Sequence, residues 1–149
     1  MKQVVVKIVN KSKHNFGNPE YSTIGSSGMD VRASLEVSRI IKPGERMLIP
    51  TGLFVEIPIG YEIQVRPRSG LALKKGITVL NTPGTVDSDY RSEIGVILQN
   101  NGTEDFLIEN GDRIAQLVLC EVPICIWENT LDLSETERGE GGFGHSGIK

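Results

Sequence analysis

Residues 61–100 read YEIQVRPRSGLALKKGITVLNTPGTVDSDYRSEIGVILQN, and this stretch carries the pattern that decides the fold. Apolar side chains alternate from Tyr61 to Val65, and short apolar runs follow at Ile77–Leu80 and Ile94–Leu98. Alternation is typical of a half-buried strand, and short apolar runs between turn residues are typical of buried strands. Only Gly70–Lys75 favours a helical turn. The stretch therefore predicts several short strands and almost no helix.

The same pattern extends to the rest of the chain. Lys2–Val9 alternates in the same way, and turn formers such as Pro43-Gly44 and Asn110-Gly111 separate further apolar runs. These runs are Met47–Pro50, Leu53–Ile57, Phe106–Ile108, Ile114–Leu119 and Ile124–Trp127. Many short strands at this spacing indicate a sandwich, a jelly roll or a barrel. We therefore expect an all-β fold.

Length and composition limit the possible classes. A chain of 149 residues fits one domain, and folding at that size buries about two-thirds of the unfolded surface. A net charge of -3 gives no bulk attraction for nucleic acid, so bound phosphate requires a few local cations or a metal. No apolar segment is long enough for a membrane span or a signal sequence, which favours a cytoplasmic protein without a membrane partner. Cys120 and Cys125 lie in an apolar stretch and are interpreted as reduced core residues.

Two segments combine residue types that suit catalysis and phosphate binding. Gly84–Arg91 places Asp87, Asp89, a tyrosine and an arginine within one turn. Alternation would send both carboxylates to one face, where one could hold a water molecule, although a solvated loop with a local Asp–Arg pair explains the spacing equally simply. Arg66–Gly70 follows a predicted strand and opens the helical turn, so that arginines, a hydroxyl and free amides could meet a phosphate. A basic surface turn is the alternative.

The last sixteen residues, SETERGEGGFGHSGIK (134–149), differ from everything before them. They contain five glycines and little apolar mass, so the composition predicts a mobile tail. Gly139, Gly141 and Gly144 have the order G-x-G-x-x-G, but a dinucleotide fold needs a helix after this pattern and only five residues follow it. A disordered end and a segment that wraps phosphates both remain open.

Five segments, taken together and in order, resemble the five motifs of the homotrimeric dUTP diphosphatases, the dUTPases. They are SSGMDVRAS (26–34), RPRSGLA (66–72), GTVDSDYRSEIGVILQN (84–100), GDRIAQLVL (111–119) and RGEGGFGHSG (138–147). Ser27 stands where the first motif commonly has Ala, and Ser92 stands where the third commonly has Gly. Neither departure removes a functional group.

The resemblance implies a fold, an assembly and a reaction. The fold is a dUTPase-like jelly roll, or β-clip, with a β domain over residues 1–133 and a flexible lid over 134–149 that completes a neighbouring active site. The assembly is a homotrimer with active sites shared between subunits. The reaction is Mg²⁺-dependent hydrolysis of dUTP to dUMP and pyrophosphate by attack of water on the α-phosphorus. It limits uracil incorporation into DNA and supplies dUMP for dTMP synthesis.

The resemblance also implies roles for particular residues. Asp87 holds the attacking water and accepts its proton. Asn81 pairs with the uracil edge, a narrow hairpin that ends at Val86 excludes the methyl group of thymine, and Tyr90 packs under the sugar and disfavours ribose.

The remaining roles concern the triphosphate and the lid. Arg68, Ser69 and Gly70 grip the phosphates, while Asp30 and Gln116 act on Mg²⁺ only through water. In the tail, Phe143 stacks over the uracil, and the other predicted substrate-binding residues are Arg138, Gly144, His145 and Ser146.

Two rival functions are compatible with the same fold. A dCTP deaminase shares much of the phosphate grip, but as we read that family it places a catalytic Glu just after the aromatic residue, where this chain has Arg91. A nucleotide-responsive binding protein would signal by its liganded shape, with any hydrolysis incidental. Release of ammonia from dCTP would indicate the first rival, and a partner that binds only the tail-closed form would indicate the second.

Overall fold

The computed structural model describes residues 2–142, whose regular secondary structure is almost entirely β-strand. Within this range the strands are β1 Lys7–Asn10, β2 Met29–Arg32, β3 Arg39–Ile41, β4 Arg46–Pro50, β5 Leu53–Glu56, β6 Tyr61–Arg66, β7 Ile77–Val79, β8 Gly84–Val86, β9 Gly95–Asn100, β10 Phe106–Ile108 and β11 Arg113–Glu121. One helix, α1, spans Ser69–Lys75. The expected all-β class is confirmed.

The strands pair antiparallel in four sheets whose neighbours are mostly distant in sequence. The largest sheets have the orders β2-β11-β6-β8 and β4-β9-β7, and two smaller sheets pair β1 with β5 and β10 with β3. One core cluster contains side chains from both large sheets, including Val31 and Val65 from the first and Val96 and Leu98 from the second. This arrangement of sheets around a shared core is the expected jelly roll.

Asn100, the last residue of β9, forms side-chain hydrogen bonds with β3 and with the turn before β10. Its side chain is fully buried, and its Nδ2 donates to the carbonyls of Ile41 and Glu104, each at 2.8 Å. Its Oδ1 accepts the Gly102 amide at 2.8 Å. Both polar atoms of this buried amide are therefore paired, and their bonds join β3, β9 and the turn that leads to β10.

Helix α1 is held at its C-terminal end. It stops at Gly76, whose φ of 68° lies in the left-handed region, and a Cβ there would come within 2.6 Å of the Gly102 nitrogen. The predicted helical turn at Gly70–Lys75 is confirmed and begins one residue earlier, at Ser69. No helix within residues 2–142 is long and apolar enough to cross a membrane.

Three expectations about the chain ends are wrong. The alternating segment Lys2–Val9 forms a strand only from Lys7 onward, and Ile124–Trp127 forms none. Ile124, Ile126 and Trp127 are almost fully exposed because the chain leaves the sheets after β11, where an apolar strand has nothing to pair with. Cys125 is exposed for the same reason, and Cys120 is only half-buried, so neither is a core residue, although both are free thiols.

We predict that Asn100→Ala lowers the free energy of unfolding by about 2–4 kcal/mol, because it leaves buried carbonyl and amide groups unpaired. Urea denaturation at fixed protein concentration measures the change. Asn101→Ala is the matched control, since Asn101 is exposed and its substitution should cost less than about 0.5 kcal/mol. Equal midpoints for the two variants would contradict the role of Asn100.

Candidate active site

The first group of predicted site residues gathers around Asp30 on β2. The Asp30 carboxylate accepts two bonds from Arg68, from Nε at 2.9 Å and from Nη2 at 3.2 Å, and a third from Arg113 Nη1 at 3.2 Å. Asp30 and Arg68 are each about three-quarters covered. Two guanidinium groups share one carboxylate, so the cluster keeps a net positive charge that suits an anion.

Gln116 connects this cluster to the loop before α1. It lies on β11 between Asp30 and Arg66 in the strand register, and its Nε2 donates to the Pro67 carbonyl at 2.9 Å. A Cβ at Gly28 would come within 2.2 Å of the Gln116 Oε1, so a side chain there would displace the Gln116 amide. Gln116 therefore packs the first, second and fourth motif segments against one another.

Ser69 and Gly70 lie at the exposed start of α1, directly after Arg68. The first turn has no acidic side chain and no side-chain cap. Amides at the start of a helix have no partner within the helix and favour negative charge. The structure thus brings the predicted phosphate-gripping residues together, and it adds Arg113, which the sequence reading did not select.

A cleft of about 170 Å³ borders the same cluster on the side of the N-terminal segment. His14 and Phe16 line it, and the Arg32 guanidinium lies 4.2 Å from the centre of the Phe16 ring while donating to the Gly111 carbonyl. Partial burial lowers the pKa of His14, and the nearby Arg32 lowers it further. His14 is therefore neutral at pH 7 and adds no charge here.

The second group of predicted residues surrounds another cavity of about 170 Å³. It lies where the chain crosses from β7 in the three-stranded sheet to β8 in the four-stranded sheet. Its walls include Val65, Asn81, Gly84, Val86, Tyr90 and Gly95. A Cβ at Gly84 would come within 3.3 Å of the Asn81 Nδ2, so the absence of a side chain at Gly84 leaves room for that amide.

This crossing differs from the expected hairpin. Asn81 lies in the turn after β7 rather than within a strand, and β7 pairs with β9 while β8 pairs with β6. The two strands therefore do not pair with each other. The reason is that residues 80–83 carry the chain between sheets instead of reversing it within one.

Asp87 and Tyr90 belong to a tight turn that follows β8. The Tyr90 amide donates to the Asp87 carbonyl at 3.2 Å, and Asp87 is exposed directly after the cavity wall at Val86. Ser88 and Asp89 are turn residues, so strand alternation ends at Val86 and does not place Asp87 and Asp89 on one face. That expectation is wrong.

Arg91 braces the turn through backbone contacts. Its Nη1 donates to the carbonyls of Ser88 at 2.7 Å and Tyr90 at 3.0 Å. Within residues 2–142 it makes no ion pair with Asp87 or Asp89, so the alternative of a local Asp–Arg pair does not describe this turn.

Glu93 is a second residue that the sequence reading missed. Its Oε1 accepts the Gly52 amide at 2.7 Å, and its backbone carbonyl accepts the Tyr90 hydroxyl at 2.9 Å. The sequence offers only one signal for Glu93, which is its place within the third motif segment. Its contact with Gly52 could not be predicted, because the two residues are 41 positions apart in sequence.

Within one chain, the cluster around Asp30 and the cavity next to Asp87 lie apart. Asp30 lies on β2 and Asp87 follows β8, and these strands form opposite edges of the four-stranded sheet with β11 and β6 between them. Three strand spacings separate them by about 14 Å. The phosphate-gripping cluster and the cavity therefore face different surroundings in a single copy.

The tail is only partly described. Arg138 is exposed, and its Nε donates to the Gly141 carbonyl at 2.7 Å. Phe143, Gly144, His145 and Ser146, which are predicted to bind substrate, lie outside the described residues. Over residues 2–142, no group of three or more His, Cys, Asp or Glu side chains could hold a metal ion.

Comparison with known proteins identifies what this chain is similar to. The model of the dUTPase family matches residues 4–147. The deoxyuridine 5′-triphosphate nucleotidohydrolase of Treponema denticola is 59% identical over 143 residues, which cover 96% of this chain and 99% of the relative. The corresponding protein of Fusobacterium nucleatum is 54% identical, with 99% of each chain covered.

The solved structures agree with this result. The dUTPase of Staphylococcus bacteriophage 80alpha, solved with dUPNHPP, superposes with a TM-score of 0.83 at 26% identity, and the match covers 97% of this chain and 99% of the phage chain. The likeness therefore spans both the cavity and the cluster around Asp30.

Proposed function

Because this chain belongs to the dUTPase family, it is a dUTP diphosphatase, and we propose that it cleaves dUTP by directing water from Asp87 onto the α-phosphorus. The observation that carries this proposal is the exposure of Asp87 directly after Val86, which lines the cavity. The products are dUMP and pyrophosphate. Removing dUTP in the cytoplasm would limit uracil incorporation into DNA and supply dUMP for dTMP synthesis.

Asp87 serves as the general base. An aspartate carboxylate can accept a proton from a water molecule that it holds by a hydrogen bond. Its carboxylate orients a water molecule, takes up one proton as the oxygen attacks phosphorus, and pyrophosphate leaves from the opposite side. Because Asp87 is exposed, the water can reach it before the substrate closes the site.

The cavity selects uracil. Asn81 offers an amide group that can both donate to and accept from the base edge, whereas cytosine presents the opposite pattern. A buried polar group left unpaired costs about 1–3 kcal/mol, so mismatched bases bind less well. Val65 and Val86 line this cavity, and in this proposal their branched side chains exclude the methyl group of thymine.

Tyr90 supports the sugar. Its ring lines the cavity and is held by the bond from its hydroxyl to the Glu93 carbonyl. A ribose 2′-hydroxyl packed against this ring would lose its hydration without gaining a partner, which disfavours UTP.

The cluster around Asp30 holds the triphosphate. Arg68, Ser69 and Gly70 supply a guanidinium, a hydroxyl and helix-start amides for the phosphate oxygens. Arg113 shares the Asp30 carboxylate and adds a second positive charge. An acidic chain thus binds an anion through a local concentration of cations.

Mg²⁺ supplies the remaining positive charge. This ion commonly keeps several waters and binds substrate phosphates with help from one or two carboxylates. Asp30 and Gln116 fit that pattern as partners through water, because Asp30 retains an oxygen surface beside the phosphate-gripping residues. When bound, the ion neutralises phosphate charge and stabilises charge that develops on the leaving group.

The active enzyme is a homotrimer with shared active sites. The separation of about 14 Å across the sheet between Asp30 and Asp87 supports a site to which different copies contribute these two residues. The segment after β11 also exposes Val122, Ile124 and Ile126 at alternate positions, a strand-like pattern that another subunit can cover. The number of subunits in the proposed assembly, three, is taken from the resemblance to the homotrimeric dUTP diphosphatases.

The tail acts as a lid over a neighbour's site. Arg138 makes only a local bond in the described residues, so it is available to reach phosphate. Phe143 stacks over the uracil, and Gly144, His145 and Ser146 contact the substrate. Closing the lid excludes water from competing with the positioned nucleophile.

We predict that Asp87→Asn lowers kcat by about 10²–10⁴-fold, because the amide cannot accept the proton. Binding of a non-hydrolysable dUTP analogue, measured by calorimetry, should change by less than about threefold because the shape of the site is kept. Asp89→Asn is the matched control in the same turn and should retain activity. Near-normal turnover of Asp87→Asn would rule out this assignment.

We predict that Tyr90→Ala lowers the ratio of kcat/KM for dUTP to that for UTP by about tenfold, because the ring no longer excludes ribose. Pyrophosphate release with each nucleotide measures the ratio. Leu107→Ala, an exposed apolar substitution outside the cavity, should leave it unchanged. An unaltered ratio in Tyr90→Ala would exclude the role in sugar selection.

We predict that deleting the residues after Thr136 lowers kcat/KM for dUTP by about 10²-fold or more while the protein stays folded and assembled. Residues 123–140 are exposed and contribute little to the core, so the unfolding midpoint should be preserved. Pyrophosphate release and sedimentation measure the two effects. Full activity in the shortened protein would contradict the lid.

A further inference from the structure

The Glu93 carboxylate makes a contact that the proposed reaction does not use. We infer that Glu93 is a positioning residue that fixes the Tyr90 ring and thereby sets the preference for deoxyribose. This inference rests on the proposed role of Tyr90 in sugar selection. It concerns how that ring is held in place before any substrate binds.

The bond from Gly52 to Glu93 joins two segments that are far apart in sequence. Gly52 is buried, and its amide donates to the Glu93 Oε1 at 2.7 Å. Water has little access to this amide, because Gly52 is buried. A buried amide without an acceptor is costly, so the carboxylate is held firmly in place.

Gly52 itself cannot move to follow a displaced Glu93. Its φ is 72°, and a Cβ at this position would come within 2.5 Å of the Ser12 backbone. Its carbonyl also accepts the Lys11 amide at 2.7 Å. The turn around Gly52 is therefore a fixed support for the Glu93 carboxylate.

The residue after Glu93 is anchored to the same turn. The buried Thr51 hydroxyl donates to the Ile94 carbonyl at 2.6 Å, and the Ile94 amide donates to the Leu53 carbonyl at 2.8 Å. The Ile94 amide and the Glu93 carbonyl belong to one peptide group, so these contacts hold that peptide from its C-terminal side. The bond from the Gly52 amide to the Glu93 carboxylate holds it from the side of the Glu93 Cα.

Tyr90 depends on this anchored backbone. Its hydroxyl donates to the Glu93 carbonyl at 2.9 Å, and the side chain is 40% exposed, so packing alone does not immobilise the ring. If Glu93 loses its bond to Gly52, the peptide that carries the acceptor of the Tyr90 hydroxyl is held from one side only and becomes less firmly placed. The ring then samples positions that admit a ribose hydroxyl.

The central experiment compares Glu93→Gln with Glu93→Ala. Glutamine keeps an oxygen that can accept the Gly52 amide, whereas alanine removes it. Glu93→Ala should lower the ratio of kcat/KM for dUTP to that for UTP by about fivefold, mainly through a higher KM for dUTP. Glu93→Gln should stay within about twofold of the wild-type ratio.

Two further variants separate positioning from general loss of stability. Tyr90→Phe cuts the hydroxyl bond without touching Gly52 and should lower the ratio in the same direction, which keeps the inference testable if Glu93→Ala does not fold. Asn100→Ala destabilises the protein away from the cavity and should leave the ratio unchanged. A drop of equal size in Asn100→Ala would overturn the inference.

A double substitution tests whether Glu93 changes the preference for dUTP over UTP through Tyr90. In the Tyr90→Ala background, Glu93→Ala should cause no further change in the ratio, because the residue it positions is gone. Additive effects, or an unchanged ratio in Glu93→Ala or Tyr90→Phe while Tyr90→Ala lowers it, would overturn the role of Glu93. An unchanged ratio in Tyr90→Ala would instead overturn the proposed function of Tyr90, so the two failures are distinguishable.

Discussion

The pairing of β6 along both of its edges is the constraint on which the site depends. On one edge its Arg66 opposes Gln116 of β11, and on the other its Val65 opposes Gly84 of β8. The first edge aligns the loop before α1 with Asp30, and the second shapes the cavity beside Asp87. A shift of one residue in either ladder would turn every side chain to the wrong face. The core residues Ile63 and Val65 prevent such a shift, because they must remain buried.

The electrostatic design is local. The chain carries a net charge of -3, yet Arg68 and Arg113 converge on the single carboxylate of Asp30. That carboxylate holds both guanidinium groups in place and leaves the cluster with a net positive charge. Asp87, the other carboxylate of the proposed reaction, stands at the far edge of the sheet. In the proposed trimer, sites shared between copies would allow each chain to carry the proposed base and the proposed phosphate-binding residues on separate surfaces.

Part of this picture could be predicted from the sequence. Alternation at Tyr61–Val65 and the apolar run at Ile94–Leu98 identified strands correctly, because burial of one face leaves a local signature. Local patterns failed where partners are distant or absent. Alternation did not extend to Asp89, since β8 ends at Val86, and the run at Ile124–Trp127 has no sheet to join. Glu93 was missed because its acceptor role depends on Gly52, which no local pattern connects to it.

The exposed segment after β11 has a consequence for biosynthesis. Ile124, Ile126, Trp127, Leu131 and Leu133 are all left uncovered by the chain's own core. A single copy that leaves these apolar side chains uncovered is prone to non-specific association. In the proposed trimer a neighbouring subunit would cover them, and the yield of correctly assembled protein would then rise with its concentration.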